Sequence, residues 1–240
     1  MPLVEMPKSK FVKEVRERAQ STSFRSRKEK SFRGFLSDQA KKHDVSMIGS
    51  GAEHFVFAVP GDNEKIVTVN YGVRGSREAK LSYYLQRIYS TLWPNNFPHM
   101  FASYSSRDEN APAATVEKRI HKARGKIREP RNFAQIIELP TKDGPTKSFD
   151  YVVRDCLKYG IPFRIDTLPH NFILGKDGGE YYVDEIDYTN FLFNGIFPAD
   201  GILRFMEDKK FSELKIKQVQ TSIRRINHLL TPPTLNEEVI

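Results

Sequence analysis

The chain has 240 residues, 39% of them hydrophobic and 12% aromatic, which is enough to form the core of one large domain or two small lobes. It contains no run of about 18 apolar residues, and its first residues are charged where a signal peptide would be apolar. We therefore expect a cytoplasmic protein without a membrane span. The single cysteine, Cys156, excludes an internal disulfide and is predicted to be a small core residue on a helix.

The net charge of +8 is concentrated at the N-terminus. Residues 1–42 contain 12 Lys and Arg against 5 Asp and Glu, a local charge of +7. We interpret this segment as a basic N-terminal arm, and a solvated extension is the favoured reading of it. Because it lacks interleaved aromatic residues and matches no DNA-reading motif, nucleic acid is not an expected partner.

The first half of the chain after the arm predicts a sheet and one helix. Residues 45–59 have the pattern of strand, Gly-rich turn and strand, and residues 64–71 form a third β-branched run, so we expect an antiparallel meander. A helix is predicted over 76–93, with Ser76 as its cap and Pro94 after its end. Residues 99–106 and 114–123 return to strand character.

The second half predicts helices and a hairpin. Residues 123–148 are rich in charge, Pro and Gly and are interpreted as a linker. A helix is expected at about 149–159, because Gly160 and Pro162 follow it. The turn "KDGG" predicts a hairpin between residues 171–175 and 180–186, and helical spacing predicts a C-terminal helix within 211–230.

The order of these elements over about residues 44–190 resembles the protein-kinase-like superfamily. The most specific part is the spacing of Asp166, Asn171 and Asp184: an Asp, an Asn five residues later, and an acid at the end of the next hairpin. The resemblance implies an α+β, two-lobed protein-kinase-like fold, with a small antiparallel-sheet N-lobe (43–122) and a reduced, mainly helical C-lobe (149–240). Since no Ala-Pro-Glu motif follows, the layout is similar to atypical, compact bacterial kinase-like proteins.

The same resemblance implies roles for the acidic stretch. Asn171 and Asp184 would bind Mg²⁺, and Asp166 would orient the hydroxyl of the acceptor. His170 is either functional or a residue that structures the loop, and Asp187 is read as the start of the next loop. Without the resemblance, Asp166 and Asn171 would be ordinary turn residues and Asp184 a solvated strand end.

The segment "IGSGAEHF" resembles the loop that covers the nucleotide phosphates in kinases. Gly49, Ser50 and Gly51 would let the backbone approach phosphate oxygens. Thr68 is the third-strand position facing the nucleotide, and Glu78 corresponds to the glutamate of the following helix.

One departure from the family puts catalytic activity in doubt. Kinases place a lysine in the third strand, but the fitting positions here are Thr68 and Asn70. Either Lys65, Lys80 or another basic residue takes its place in the site, or the protein binds nucleotide weakly or in an altered orientation.

The function that the resemblance implies is an ATP- and Mg²⁺-dependent phosphotransferase acting on a hydroxyl of a small molecule or protein. Two alternatives remain: a pseudokinase that scaffolds a partner, with or without nucleotide, and an enzyme that transfers AMP on the same fold. The aromatic residues 188–197 could line an acceptor pocket, but such a run is more often part of a core.

Overall fold

A computed structural model shows a mixed α+β protein, which confirms the predicted class. It describes residues 37–38, 40–43, 45–50, 54–59, 62–70, 76–104, 113–123, 139, 147–165, 171–184, 186 and 196–231. The elements in chain order are β1 (Met47–Ser50), β2 (His54–Val59), β3 (Asp62–Asn70), α1 (Ser76–Leu92), β4 (Met100–Tyr104), β5 (Ala113–Lys118), α2 (Phe149–Tyr159), β6 (Phe172–Leu174), β7 (Glu180–Tyr182), α3 (Asp200–Asp208) and α4 (Glu213–Leu230).

The chain divides into two compact units. The first contains the described residues up to Lys80 and Met100–Arg119, and the second contains Leu81–His99 and the described residues from Ile120 onward. Most of α1 therefore belongs to the second unit. The lobe boundaries predicted from the sequence, and the two-lobed kinase-like arrangement, stay predictions.

The first unit is built on one antiparallel sheet of five strands in the order β1-β2-β3-β5-β4. Consecutive strands β1, β2 and β3 pair with one another, which confirms the predicted meander. Alternation along each strand sends one set of side chains into a small core. Phe57, Val67, Val69 and Val116 belong to this core, and Ala40, from the segment read as the basic arm, is buried with them.

Helices and the β6–β7 hairpin form the second unit around a larger core. Its centre is aromatic: the ring of Phe97 lies 5.7 Å from Phe149 and 6.2 Å from Tyr182, centroid to centroid. Such a fully buried aromatic side chain typically contributes about 1.5–3 kcal/mol through removal of its surface from water. Cys156 on α2 is buried here, as predicted.

Local signals account for the ends of several elements. Gly160 adopts the left-handed conformation with a φ of 66° and donates its N–H to the carbonyl of Cys156, so α2 ends where the sequence predicts. The predicted hairpin is also confirmed, since Phe172 pairs with Tyr182 and Leu174 with Glu180.

Helix α3 was not predicted from the sequence. Its first turn contains Gly201, which lowers helix propensity, yet Ile202, Phe205 and Met206 are buried along one face of a regular helix. Helix α4 lies within the predicted range of residues 211–230. In its first turn, however, Leu214 is 67% exposed and does not belong to the buried apolar face of the helix.

Parts of the prediction fall on residues outside those described. These are residues 1–36 of the basic arm, most of the linker, and all but the last two residues of the aromatic segment 188–197. Of those two, Phe197 is buried and Ile196 is exposed. No helix in the described part of the chain is long and apolar enough to cross a membrane.

Candidate functional site

The β6–β7 hairpin brings two of the predicted metal ligands to one end of the same structure. Asn171 directly precedes β6, and Asp184 comes two residues after β7. The backbone N–H of Val183 donates to the carbonyl oxygen of Asn171 at 2.9 Å, which extends the pairing beyond the strands. Asn171 and Asp184 are therefore near neighbours at the open end of the hairpin, although 13 positions apart in the sequence.

The two side chains differ in exposure. Asn171 is buried, with 5% of its surface exposed, and Asp184 is half-buried. An amide oxygen and a carboxylate are ligands suited to Mg²⁺, which usually takes one or two protein carboxylates together with phosphates and water. Both side chains therefore carry oxygens of the type that the predicted magnesium ion would take, and the metal assignment stays a prediction. The described residues contain no group of three or more His, Cys, Asp or Glu side chains that could hold a metal ion without a nucleotide.

The catalytic aspartate of the prediction cannot be placed. Asp166, His170 and Asp187 lie outside the described residues. Their predicted roles therefore stay predictions.

The closed end of the hairpin is a rigid turn. Asp177 accepts hydrogen bonds from the N–H of Gly179 at 3.0 Å and from the hydroxyl of Tyr181 at 2.7 Å. Gly178 has a φ of 83°, a conformation that glycine adopts without strain. Burial and the bond to Asp177 raise the pKa of Tyr181 above its ordinary value, so its hydroxyl remains a hydrogen-bond donor into the alkaline range.

Asn96 attaches the hairpin to the segment that follows α1. Its side-chain amide donates to the carbonyl oxygens of Glu180 at 3.1 Å and Lys147 at 3.2 Å, and its own backbone carbonyl accepts the N–H of Tyr182 at 2.9 Å. Asn96 is fully buried. The position of β7, and with it that of Asp184, depends on this asparagine.

Glu180 couples the same strand to α2. Ser148, at the N-cap of α2, makes no side-chain cap hydrogen bond, and the carboxylate of Glu180 instead accepts the N–H of Phe149 at 2.7 Å. A carboxylate at this end also interacts favourably with the helix dipole. Sequence reasoning missed both Asn96 and Glu180, because their partners are 31 to 84 residues away.

In the first unit, the glycine-rich turn is described only in part. Gly49 and Ser50 end β1, whereas Gly51 lies outside the described residues. A Cβ atom added at Gly49 would lie 3.6 Å from the Cβ of Val56, an ordinary contact. The fold therefore tolerates alanine at position 49.

Thr68, the third-strand position at which the resemblance to kinases predicts a lysine, is hydrogen-bonded. Its hydroxyl donates to the carboxylate of Glu117 on β5. Since Val67 and Val69 face the core of the first unit, alternation puts Thr68 on the opposite face of the sheet. Glu117 is a residue on this face that the sequence did not single out. Glu78 lies within α1, but its side chain is outside the described part.

The structure disfavours Lys65 as a replacement for the missing lysine. Lys65 is three positions from Thr68, about 10 Å along the strand, and strand alternation sends the two side chains to opposite faces. Its ammonium group bonds to Asp62 at 2.7 Å and lies 5.1 Å from the centre of the Phe101 ring. Lys80, on α1, is half-buried and remains a candidate.

No protein-family model matches this chain, and a search of curated proteins found no significant match.

Proposed function

We propose that the protein is an ATP- and Mg²⁺-dependent phosphotransferase with a protein-kinase-like site, acting on a hydroxyl group of a small molecule or protein. The observation that supports this most is that Asn171 and Asp184 both lie at the open end of the β6–β7 hairpin, where Asn171 is hydrogen-bonded to Val183, the residue before Asp184. Two oxygen donors at that position are what a kinase-like metal site requires.

The proposed chemistry assigns a task to each residue. Asn171 and Asp184 would hold the magnesium that neutralises the phosphates, and the backbone of Gly49, Ser50 and Gly51 would approach the phosphate oxygens. The hydroxyl oxygen of the acceptor bonds to the γ-phosphorus, and the bond from that phosphorus to the bridging oxygen breaks, so that ADP leaves with the electron pair. The carboxylate of Asp166 accepts the hydroxyl proton and passes it to solvent.

One observation favours a pseudokinase or an AMP-transferring enzyme over a phosphotransferase. Thr68 stands where the phosphate-binding lysine is expected, and it is bonded to the carboxylate of Glu117. The carboxylate of Glu117 on that face repels a triphosphate unless a cation lies between them. This arrangement suits a pseudokinase that scaffolds a partner, or an enzyme that binds ATP in another orientation and transfers AMP.

Labelled nucleotide distinguishes these functions. The protein is incubated with Mg²⁺ and ATP labelled either in the α- or in the γ-phosphate, with itself and a panel of hydroxyl compounds as acceptors. Label from the γ-phosphate alone on an acceptor supports the phosphotransferase. Label from the α-phosphate supports AMP transfer, and no labelled product despite nucleotide binding supports the scaffold.

The metal assignment is tested by the substitution Asp184→Asn, with Asp200→Asn as the matched control. Asp200 is an exposed carboxylate in the first turn of α3 and has no proposed role in binding. We expect Asp184→Asn to abolish Mg²⁺-dependent ATP binding, measured by calorimetry, with an unchanged circular dichroism spectrum. If Asp184→Asn binds Mg²⁺ and ATP as well as Asp200→Asn does, the assignment is wrong.

A further inference from the structure

A cavity of about 300 Å³ lies within the second unit, away from Asn171 and Asp184. It is enclosed by the end of α1, one side of α2, the end of α3 and the start of α4. Its volume is at the lower end of the range for small-molecule sites, enough for one substituted aromatic ring. None of the described residues assigned to the proposed phosphotransferase reaction lines this cavity.

The wall of the cavity is aromatic. Trp93 lies 5.3 Å from Phe205, and Phe205 lies 5.9 Å from Phe211, measured between ring centres. Trp93 and Phe205 are each 3% exposed, so their positions are fixed by the core behind them. A flat ring can pack against the parts of these side chains that face the cavity.

The indole N–H of Trp93 is a buried donor without a partner. No acceptor in the described part of the chain bonds to its Nε1 atom, although the side chain is almost completely buried and lines the cavity. Buried tryptophan N–H groups usually find an acceptor, because burial without one is costly. Because the Nε1 atom itself has almost no exposed surface, the cavity does not reach it, and other atoms of the indole line the opening.

The rim of the cavity is positively charged. Of the described residues that line it, Arg154, Lys209, Lys210 and Lys215 are cationic, and Asp155 alone is acidic. Asp155 is engaged by Arg154 at 2.8 Å, so the lysines dominate the field at the opening. The ammonium group of Lys215 lies 5.6 Å from the centre of the Phe211 ring, which places a cation beside the aromatic wall.

The first turn of α4 adds to this field. Ser212, at the N-cap of the 18-residue helix, lines the cavity and makes no side-chain cap hydrogen bond. The N-terminal N–H groups and the helix dipole favour an anion there. A helix N-terminus alone would not define a site, but here it opens onto a cavity whose other lining residues include aromatic rings and lysines.

The loop between α3 and α4 is held in a strained conformation at this opening. Lys210 has a φ of 52°, and it is the only residue other than glycine with a positive φ in the described part of the chain. Backbone hydrogen bonds from Lys209, Lys210 and Phe211 to the end of α3 maintain this turn. A left-handed residue of this kind commonly ends a helix, and here it fixes the direction of the chain between α3 and α4 beside the cavity.

We propose that this cavity binds a small aromatic anion, either a carboxylate or a phosphate ester. The ring packs against Trp93, Phe205 and Phe211, and the anionic group lies among the lysines and the N-terminus of α4. A neutral hydrophobic ligand would leave the charged rim unused, and an inorganic anion would leave the aromatic wall unused.

Trp93 provides a local readout because it is the only tryptophan of the 240 residues. Its fluorescence is followed while the full chain is titrated with phenyl phosphate, benzoate, phenol and inorganic phosphate. We expect a saturable change with phenyl phosphate or benzoate, at a concentration at least about tenfold lower than phenol or inorganic phosphate require. Which of the two aromatic anions binds better identifies the anionic group.

Charge reversal tests the rim. Lys215→Glu should weaken binding of the better aromatic anion by about tenfold or more, the effect of losing one charge-assisted hydrogen bond. The matched control is Lys217→Glu, on the same helix, where Lys217 is 68% exposed, pairs with Glu213 and does not line the cavity. Asp184→Asn should leave the binding unchanged, which separates this site from the proposed phosphotransferase site.

Three results would overturn the proposal. These are the absence of a saturable change with both aromatic anions, equal affinity for phenol and the better anion, and equal weakening by Lys215→Glu and Lys217→Glu. Each would show that the cavity has no preference for an aromatic ring joined to an anion.

Discussion

The buried side chain of Asn96 should be essential to the stability of the β6–β7 hairpin. The change Asn96→Ala removes the two side-chain hydrogen bonds to the carbonyl oxygens of Lys147 and Glu180. The backbone bond from Tyr182 to Asn96 persists, because it does not involve the side chain. The substitution therefore tests the side-chain amide alone.

The expected decrease in the free energy of unfolding follows from the two carbonyl groups that lose the Asn96 amide as a donor. Each lost bond contributes about 1 kcal/mol, and a buried carbonyl left without a donor costs about 1–3 kcal/mol more. The Lys147 carbonyl keeps a second donor, the N–H of Glu180 at 2.9 Å. The Oδ1 atom of Asn96 itself is buried without a partner in the described part, so its removal offsets part of the loss. We expect a decrease of about 2 kcal/mol in the free energy of unfolding.

Urea unfolding followed by circular dichroism measures this decrease, and it corresponds to a fall of about 4–8 °C in the melting temperature. The neighbouring Asn95→Ala is the matched control. Asn96→Asp should be more destabilising than Asn96→Ala at neutral pH, because a carboxylate would face two carbonyl oxygens without a donor. The reasoning is refuted if Asn96→Ala and Asn95→Ala differ by less than about 0.5 kcal/mol.

Three further substitutions test other parts of the account. Gly201→Ala should destabilise the protein by about 1–3 kcal/mol in urea unfolding, because the new Cβ would lie 2.4 Å from the carbonyl oxygen of Tyr159; a stabilised variant would contradict this packing. Tyr89 donates to the carbonyl of Pro162, and burial, followed by the charge of the nearby cysteine, raises its pKa well above 10.0. Because the pKa is higher in the folded state, the contribution of Tyr89 to the free energy of unfolding is fully present below about pH 10 and decreases as the pH rises above it. Wild type should therefore lose free energy of unfolding more steeply than Tyr89→Phe in this range, by up to about 1.4 kcal/mol per pH unit. Equal slopes for wild type and variant between pH 9 and 11 would contradict that assignment. Gly49→Ala should lower ATP affinity with little change in melting temperature, and unchanged ATP affinity would remove the glycine-rich turn from the proposed site.

Much of the secondary structure could be predicted because its signals are local. The helix over 76–93 and the hairpin across "KDGG" agree with α1 and with β6 and β7 to within a few residues. In both cases the determining features, apolar spacing and turn glycines, lie within the element itself. Cys156 was placed correctly for the same reason.

Helix α3 shows where local signals fail. Glycine lowers helix propensity, and Gly201 follows a Pro-Ala-Asp sequence that is typical of a loop. The helix forms because Ile202, Phe205 and Met206 are buried in the second unit, and because glycine allows close approach to the end of α2. Tertiary packing here outweighs propensity.

The candidate site was predicted only in part, for a similar reason. The spacing of Asn171 and Asp184 around a hairpin can be read from the sequence, since the turn between them is local. The anchoring by Asn96, the cap that Glu180 provides for α2, and the bond from Thr68 to Glu117 join segments 31 to 84 residues apart. No pattern within one segment indicates such contacts.

The most direct test of the central proposal is a thermal-shift titration of the full chain with ATP, with and without Mg²⁺. A ligand that binds only the folded state at one hundred times its dissociation constant adds about 2.7 kcal/mol of stability, or roughly 5–10 °C in melting temperature. We predict a rise of this kind that requires Mg²⁺ and is lost in Asp184→Asn. No shift at millimolar ATP, or an equal shift without Mg²⁺, would contradict the assignment of Asn171 and Asp184 as the metal-binding end of a nucleotide site.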